Sequence, residues 1–214
     1  PLMGIDKKTG KDRQARLYEL TSQKSLPTMF HDEERPRNVW IEQLALAEKI
    51  GSSDSINLIP ENFQERADMF GLCAIVLGED GLVWNMRILS DGPLARKYGY
   101  SDEASSKAPS KMAEIVKVID RQLEKQQEKG SKYLIGDKIS AIDIYWSKIS
   151  MTILPASLEI MPKTKQNEGM LFFFEANSKI PEIKEVLTDR ILSHRDYILK
   201  TYCETPAVLG GDPI

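Results

Sequence analysis

The residues in this chain best equipped for chemistry are two cysteines, Cys73 and Cys203, and two histidines, His31 and His194. A thiolate is a nucleophile and a soft metal ligand; an imidazole is a base or a ligand of intermediate hardness. The spacing supports neither use. The cysteines are far apart and form no metal or redox pair. Two histidines without neighbouring ligands make neither a zinc cluster nor a nucleophilic triad, so no metal site is expected. Cys73 falls on the apolar side of a helical pattern, which suits an inert thiol. Free thiols fit a reducing, cytoplasmic setting.

Two other segments have a spacing with physical meaning. In Tyr133–Ile144, Ser140 is a good N-cap and Asp143, at the third helical position, can reach back to the N-cap N–H. Ile139 and Ile144 occupy the two positions of a hydrophobic staple. The run that follows, Ile142 to Ile153, is apolar on more than one side and predicts a buried helix. In Ser25–Met29, Pro27 stands at the entry of a short apolar strand. Proline there reads as a strand start, or as a cis bond that presents the backbone of the preceding residue to a ligand.

The elements that must position these residues are unevenly distributed. Leu2–Ile5 and Leu26–Phe30 read as strand fragments, with a helical stretch from Asp12 to Gln23 between them. His31–Arg35 is a charged turn or hairpin. Asn38 to Ile50 is helical, with Trp40, Ile41, Leu44, Ala47 and Ile50 on its inner face. Ser52 to Pro60 is a polar linker. Beyond it nearly everything is helix. Phe63, Ala67, Phe70, Cys73, Ala74 and Leu77 recur at helical spacing, Gly78–Gly81 is a kink, and Leu82–Leu89 continues. Asp91–Pro109 is a polar connection, and Ser110–Lys129 is amphipathic, with Met112, Ile115, Val116, Ile119 and Leu123 inward. Residues 168–176, 181–188 and 189–202 predict shorter helices, with Phe172–Phe174 as core packing. At 214 residues and a net charge of -3 of mixed sign, the chain fits one large or two small domains. That balance favours neither nucleic acid nor an anionic membrane as a partner. No apolar run approaches the roughly 20 residues that span a bilayer.

Together the Pro27 and Ser140 segments resemble the glutathione transferase superfamily, in theta-like, delta-like or bacterial form. Leu20–Met29 is similar to the family's pre-strand loop and cis-proline. Ala45-Leu46-Ala47-Glu48-Lys49-Ile50-Gly51 is similar to the helix ending that follows. The Ser140–Asp143 box is similar to the folding motif of the family's helical domain. The resemblance spans most of residues 12–190. It implies an α+β thioredoxin-like N-terminal domain, residues 1–52 and incomplete at its start. An all-α C-terminal domain, residues 60–205, follows.

The same resemblance implies a site. The family's activating Tyr, Ser or Cys lies at the junction of its first strand and helix. Residues 1–6 read as the second strand, so the catalytic segment is expected upstream of Pro1. A rival register makes Leu2–Ile5 the first strand but leaves too little chain before Pro27. Glutathione would meet Lys24 at its glycyl carboxylate and the backbone of Leu26, beside Pro27, at its cysteinyl part. Asn38 and Val39 stand where the family has an acidic residue and a serine. Val39 offers only its N–H, and one lost side-chain bond to a charged group costs roughly 1.5–3 kcal/mol, about ten- to a hundredfold in affinity. Trp84 and Arg87 are candidates for an electrophile pocket; Glu65, Arg66 and Asp68 are candidates for a homodimer contact. Three functions follow from the resemblance. One is a cytoplasmic detoxifying transferase that adds glutathione to an apolar electrophile. Another is a non-catalytic binding or assembly module, and the third is a different glutathione reaction, such as isomerisation, peroxide reduction or thioether cleavage.

Overall fold

The computed structural model describes residues 10, 14–23, 26–52, 54–165 and 167–207. Leu2–Ile5, Lys24, Ser25 and the glycine-rich tail from residue 208 lie outside them. The chain divides into two compact units, Pro1–Ile56 and Asn57–Ile214.

The first unit contains helices α1 (Ala15–Thr21) and α2 (Trp40–Ile50). Between them Met29 and Arg37 exchange N–H···O bonds of 2.8 and 2.9 Å, an isolated antiparallel bridge across the charged turn. No strand forms among the described residues, so the expected thioredoxin-like sheet is not found there. One bridged pair with no third strand beside it does not grow into a ladder. The face of α2 also differs from its sequence pattern. Gln43, Leu44 and Leu46 are buried, whereas Ile41 and Ile50 are exposed. The reason is Gln43, whose amide donates to the carbonyls of Pro27 (2.7 Å) and Arg37 (3.1 Å). A polar side chain satisfied in this way can be buried, and it draws its own side of the helix inward.

The second unit is helical: α3 (Phe63–Leu77), α4 (Leu82–Arg87), α5 (Pro93–Lys97), α6 (Asp102–Glu128), α7 (Ala141–Ser150), α8 (Glu168–Asn177), α9 (Pro181–Lys184) and α10 (Asp189–Tyr202). Asn62 caps α3, its Oδ1 accepting from the N–H groups of Gln64 and Glu65. The buried stripe of α3 is Met69, Cys73 and Val76, while Phe63 is 82% exposed. By length and composition Phe63–Arg87 is apolar enough to cross a membrane, contrary to the sequence expectation. In the fold it is two helices, parted at Gly78–Gly81, with Met69, Cys73, Val76 and Leu82 in the core. A Cβ on Gly81 would lie 2.7 Å from the Ile75 carbonyl oxygen, so the turn requires glycine.

Helix α6 starts at Asp102, well before the predicted Ser110. Ser101 caps it by accepting from Ala104 N–H, and Asp102 and Glu103 fill its first turn with the charge that a helix start favours. Pro109 lies inside this helix rather than ending the connection. In α8 only Phe174 of the three phenylalanines is buried. Leu171, Phe174 and Asn177 form the inner stripe, and Phe172 and Phe173 project outward.

Helix α7 packs against both α3 and α10. Its capping box is present, and Asp143 is its centre. The fully buried carboxylate accepts from four donors. These are Ser140 N–H (2.9 Å), Ser140 Oγ–H (2.9 Å), Leu134 N–H (2.8 Å) and His194 Nε2–H of α10 (2.9 Å). Staple residue Ile139 is buried and Ile144 half-buried. Leu134, Ile142, Trp146, Met112, Ile119 and Leu123 of this unit are all essentially without solvent contact.

Asp143→Ala strands four donors in the core. Leaving a buried donor without a partner costs about 1–3 kcal/mol, so loss of this carboxylate costs at least about 3 kcal/mol and lowers Tm by roughly 6 °C or more for a chain of this length. Asp137→Ala, at an exposed position of the preceding turn, stays within about 0.5 kcal/mol of the parent. Calorimetric melting of both variants checks the contrast.

Candidate functional site

The segment that the resemblance marks for glutathione, Leu26–Met29, borders a groove in the first unit. Gln14, Arg16, Leu17, Leu20, Leu26, Thr28 and Phe30 line a cavity of about 280 Å³. The Leu26–Pro27 peptide is cis. Gln43 holds the Pro27 carbonyl, and the Met29–Arg37 bridge holds the end of the segment. Sequence reasoning missed Gln43. Its signal was a polar residue three positions after Trp40, inside an otherwise apolar helical stripe.

Ion pairs fasten the turn that follows to α2. Arg35 makes a two-pronged pair with Glu42, at 2.6 and 3.3 Å. Glu34 accepts from Lys49 of α2 and from Arg37. The hydrogen bond from Lys49, then that from Arg37, holds the Glu34 carboxyl at about 2, well below its ordinary 4.5.

The other residues singled out from sequence fall as follows. Lys24 lies outside the described residues. Val39, not Asn38, is the N-cap of α2, and no side chain caps that helix. Valine has no side-chain acceptor, so it cannot cap the helix as a Ser or Asp would. In the second unit Trp84 and Arg87 meet at Tyr98. The Trp84 and Tyr98 rings are edge-to-face at 4.8 Å, and the Arg87 guanidinium lies 4.3 Å from the Tyr98 ring centroid. That arrangement is an aromatic–cation stack. Tyr98 follows the short α5 and gave no periodic signal. Glu65, Arg66 and Asp68 sit on the first turns of α3; Arg66 donates to the Pro60 carbonyl, and Asp68 accepts from Gln64. Cys73 is buried beside Met69, and burial, followed by the nearby Asp143, pushes its thiol up to about 12. A thiol so raised holds almost no thiolate at neutral pH. Among the described residues no group of three or more His, Cys, Asp or Glu could hold a metal ion.

No family model matches the chain, and no curated protein matches it either. Among solved structures it is similar to the GST-like domain of elongation factor 1-gamma from Saccharomyces cerevisiae. The two are 14% identical, the match covers 81% of this chain and 77% of that one, and the TM-score is 0.47. The likeness is one of fold.

Two outcomes test this local architecture. Gln43→Ala loses two bonds to main-chain carbonyls and costs about 1–3 kcal/mol, confined to the first unit and visible as faster proteolysis there. The Glu34 contribution is present above pH 4.5 and fades as pH falls from 4.5 toward 2, because the folded carboxyl titrates lower than the unfolded one. Glu34→Gln flattens that acid limb in a pH series of first-unit amide exchange.

Proposed function

We propose that this chain is a glutathione-transferase-like binding protein, and that its groove beside Leu26 and Thr28 takes a thiol tripeptide of the glutathione type. The groove itself is the observation that carries this reading. One wall is an extended segment tied at Pro27 by Gln43 and at Met29 by Arg37. An extended peptide docks on such a segment through main-chain hydrogen bonds. Arg16 on the lining supplies a charge for a peptide carboxylate, and its present partner is the exposed Glu19 at 3.1 Å. Lys24 is a second partner for the glycyl carboxylate in this reading. Asn38 and the N–H of Val39, at the start of α2, face the γ-glutamyl end.

A second reading is conjugation of the bound thiolate to an apolar electrophile. The lining favours it, because Leu17, Leu20, Leu26 and Phe30 suit an apolar co-substrate. Its activating hydroxyl or thiol would come from the junction of the family's first strand and helix.

Titration with glutathione by calorimetry, paired with a chloronitrobenzene conjugation assay, separates the readings. Saturable binding without turnover, weakened about two- to fivefold by Arg16→Ala, supports the binding protein. Binding with turnover selects the transferase. Absence of both refutes the two readings together.

A further inference from the structure

Helix α8 is apolar on two faces. Leu171 and Phe174 turn inward, while Gly169, Phe172, Phe173 and Ala176 stand exposed on the other side. Those four fall at the i, i+3, i+4, i+7 spacing of a single helix face. Phe172 is 75% exposed and Phe173 44%. Apolar surface left in water is unfavourable, and two adjacent rings concentrate it at one spot. A Cβ on Gly169 would meet nothing within 4 Å, so that end of the stripe is open.

The charges follow one edge of the stripe, where Glu168, Glu175 and Lys179 succeed one another at spacings of seven and four residues. Glu168 pairs with Lys163 at 3.0 Å, and both side chains are well exposed, so this pair exchanges partners at little cost. Glu175 and Lys179 have no ion-pair partner among the described residues. Residues 163–185 hold four lysines, four glutamates and no other charged residue. A balanced surface of this kind draws neither an anionic membrane nor a partner of one sign. It suits a contact between identical patches, because a patch with net charge repels its own copy.

In a two-fold contact the same surface serves both copies. Helices related by an axis perpendicular to them run antiparallel. With the axis between Phe172 and Phe173, the rings of one copy lie on those of the other. Gly169 then faces Ala176, and the backbones approach where the side chains are small. The charged edge sets Glu168 of one copy beside Lys179 of the second, twice over. A parallel pairing would instead oppose Glu168 to Glu168 and Lys179 to Lys179.

We propose that the outer face of α8 is a self-association surface, on which a second copy of this chain docks antiparallel through Phe172 and Phe173. The exposed parts of the two rings amount to about 180–300 Å² on each copy, which makes the contact small and reversible. It lies on a different helix from Glu65, Arg66 and Asp68, and the glutathione reading does not bear on it.

The test is sedimentation velocity of the full chain from low micromolar to half-millimolar concentration. The expected result is a reversible monomer–dimer equilibrium with a Kd of tens to hundreds of micromolar. Phe172→Gln, at an exposed position, keeps the parent's melting temperature and weakens association at least about tenfold. Glu168→Lys and Lys179→Glu each weaken it about two- to fivefold, and the two together in one chain restore it to within about twofold of the parent. A chain that stays monomeric over this range overturns the proposal. So does a dimer whose strength Phe172→Gln leaves unchanged, since its contact lies elsewhere. A double charge swap that fails to restore association overturns the antiparallel pairing. Cosedimentation with phosphatidylserine vesicles, abolished by Phe172→Gln and without self-association, overturns the second copy in favour of a membrane surface.

Discussion

One buried carboxylate decides how the helical unit is put together. Asp143 receives donors from its own helix start, from the loop at Leu134 just before it and from His194 on α10, and so joins the start of α7 to a helix far along the chain. A carboxylate removed from water is costly unless its lone pairs are filled, and here four donors fill them. The surrounding geometry follows. The loop before α7 turns back under α6, where Gln122 donates to Leu134 O (2.8 Å) and Gln126 to Gly136 O (2.9 Å). Gly136 adopts φ +61, and a Cβ there would lie 3.0 Å from the Glu65 carboxylate oxygens. The Ala141 N–H donates to Leu58 O at 2.8 Å, which ties the start of α7 to the segment leading into α3.

Half of this junction was legible in the sequence. Ser140 and Asp143 lie three residues apart, and a capping box is a local device that spacing alone reveals. His194 lies far along the chain, and only the packing of α10 on α7 brings it to Asp143. The same division runs through the rest of the chain. The kink at Gly78–Gly81 and the C-terminal helices could be read, because glycine, proline and periodicity act locally. The start of α6 was misplaced because its polar first turns, led by Ser101, have no apolar stripe. The inner face of α2 came out rotated because periodicity weighs apolar residues only, and that of α3 because its apolar residues lie on more than one side, so spacing alone does not choose among them. A glutamine that finds two carbonyls can outcompete an isoleucine for the inside.

The two units differ in how firmly they are built. Among the described residues of the first unit, only Gln43, Leu44 and Leu46 are buried, all on α2. The helical unit buries many large side chains, Trp146, Met69, Leu82, Met112 and Ile119 among them. A cluster of Met151, Ile160, Met161, Leu171, Phe174 and Leu199 lies among the connection after α7, α8 and α10. Segments with few buried contacts open at low free-energy cost. The groove beside Leu26 thus belongs to the unit that a ligand can stabilise most visibly, since binding to the folded form adds to its stability by mass action. Lys49, Glu34, Arg35 and Glu42 supply exposed electrostatic fastening there, which salt screens.

The direct test of the central claim is native-state hydrogen exchange at the amides of Leu134 and Ser140, both donors to Asp143. If the carboxylate is the junction on which the helical unit depends, both amides exchange only through global opening. Their rates then track denaturant with the full unfolding slope, as do amides in the middle of α7. Exchange of Leu134 and Ser140 through a local opening, with the interior of α7 still protected, would contradict the account.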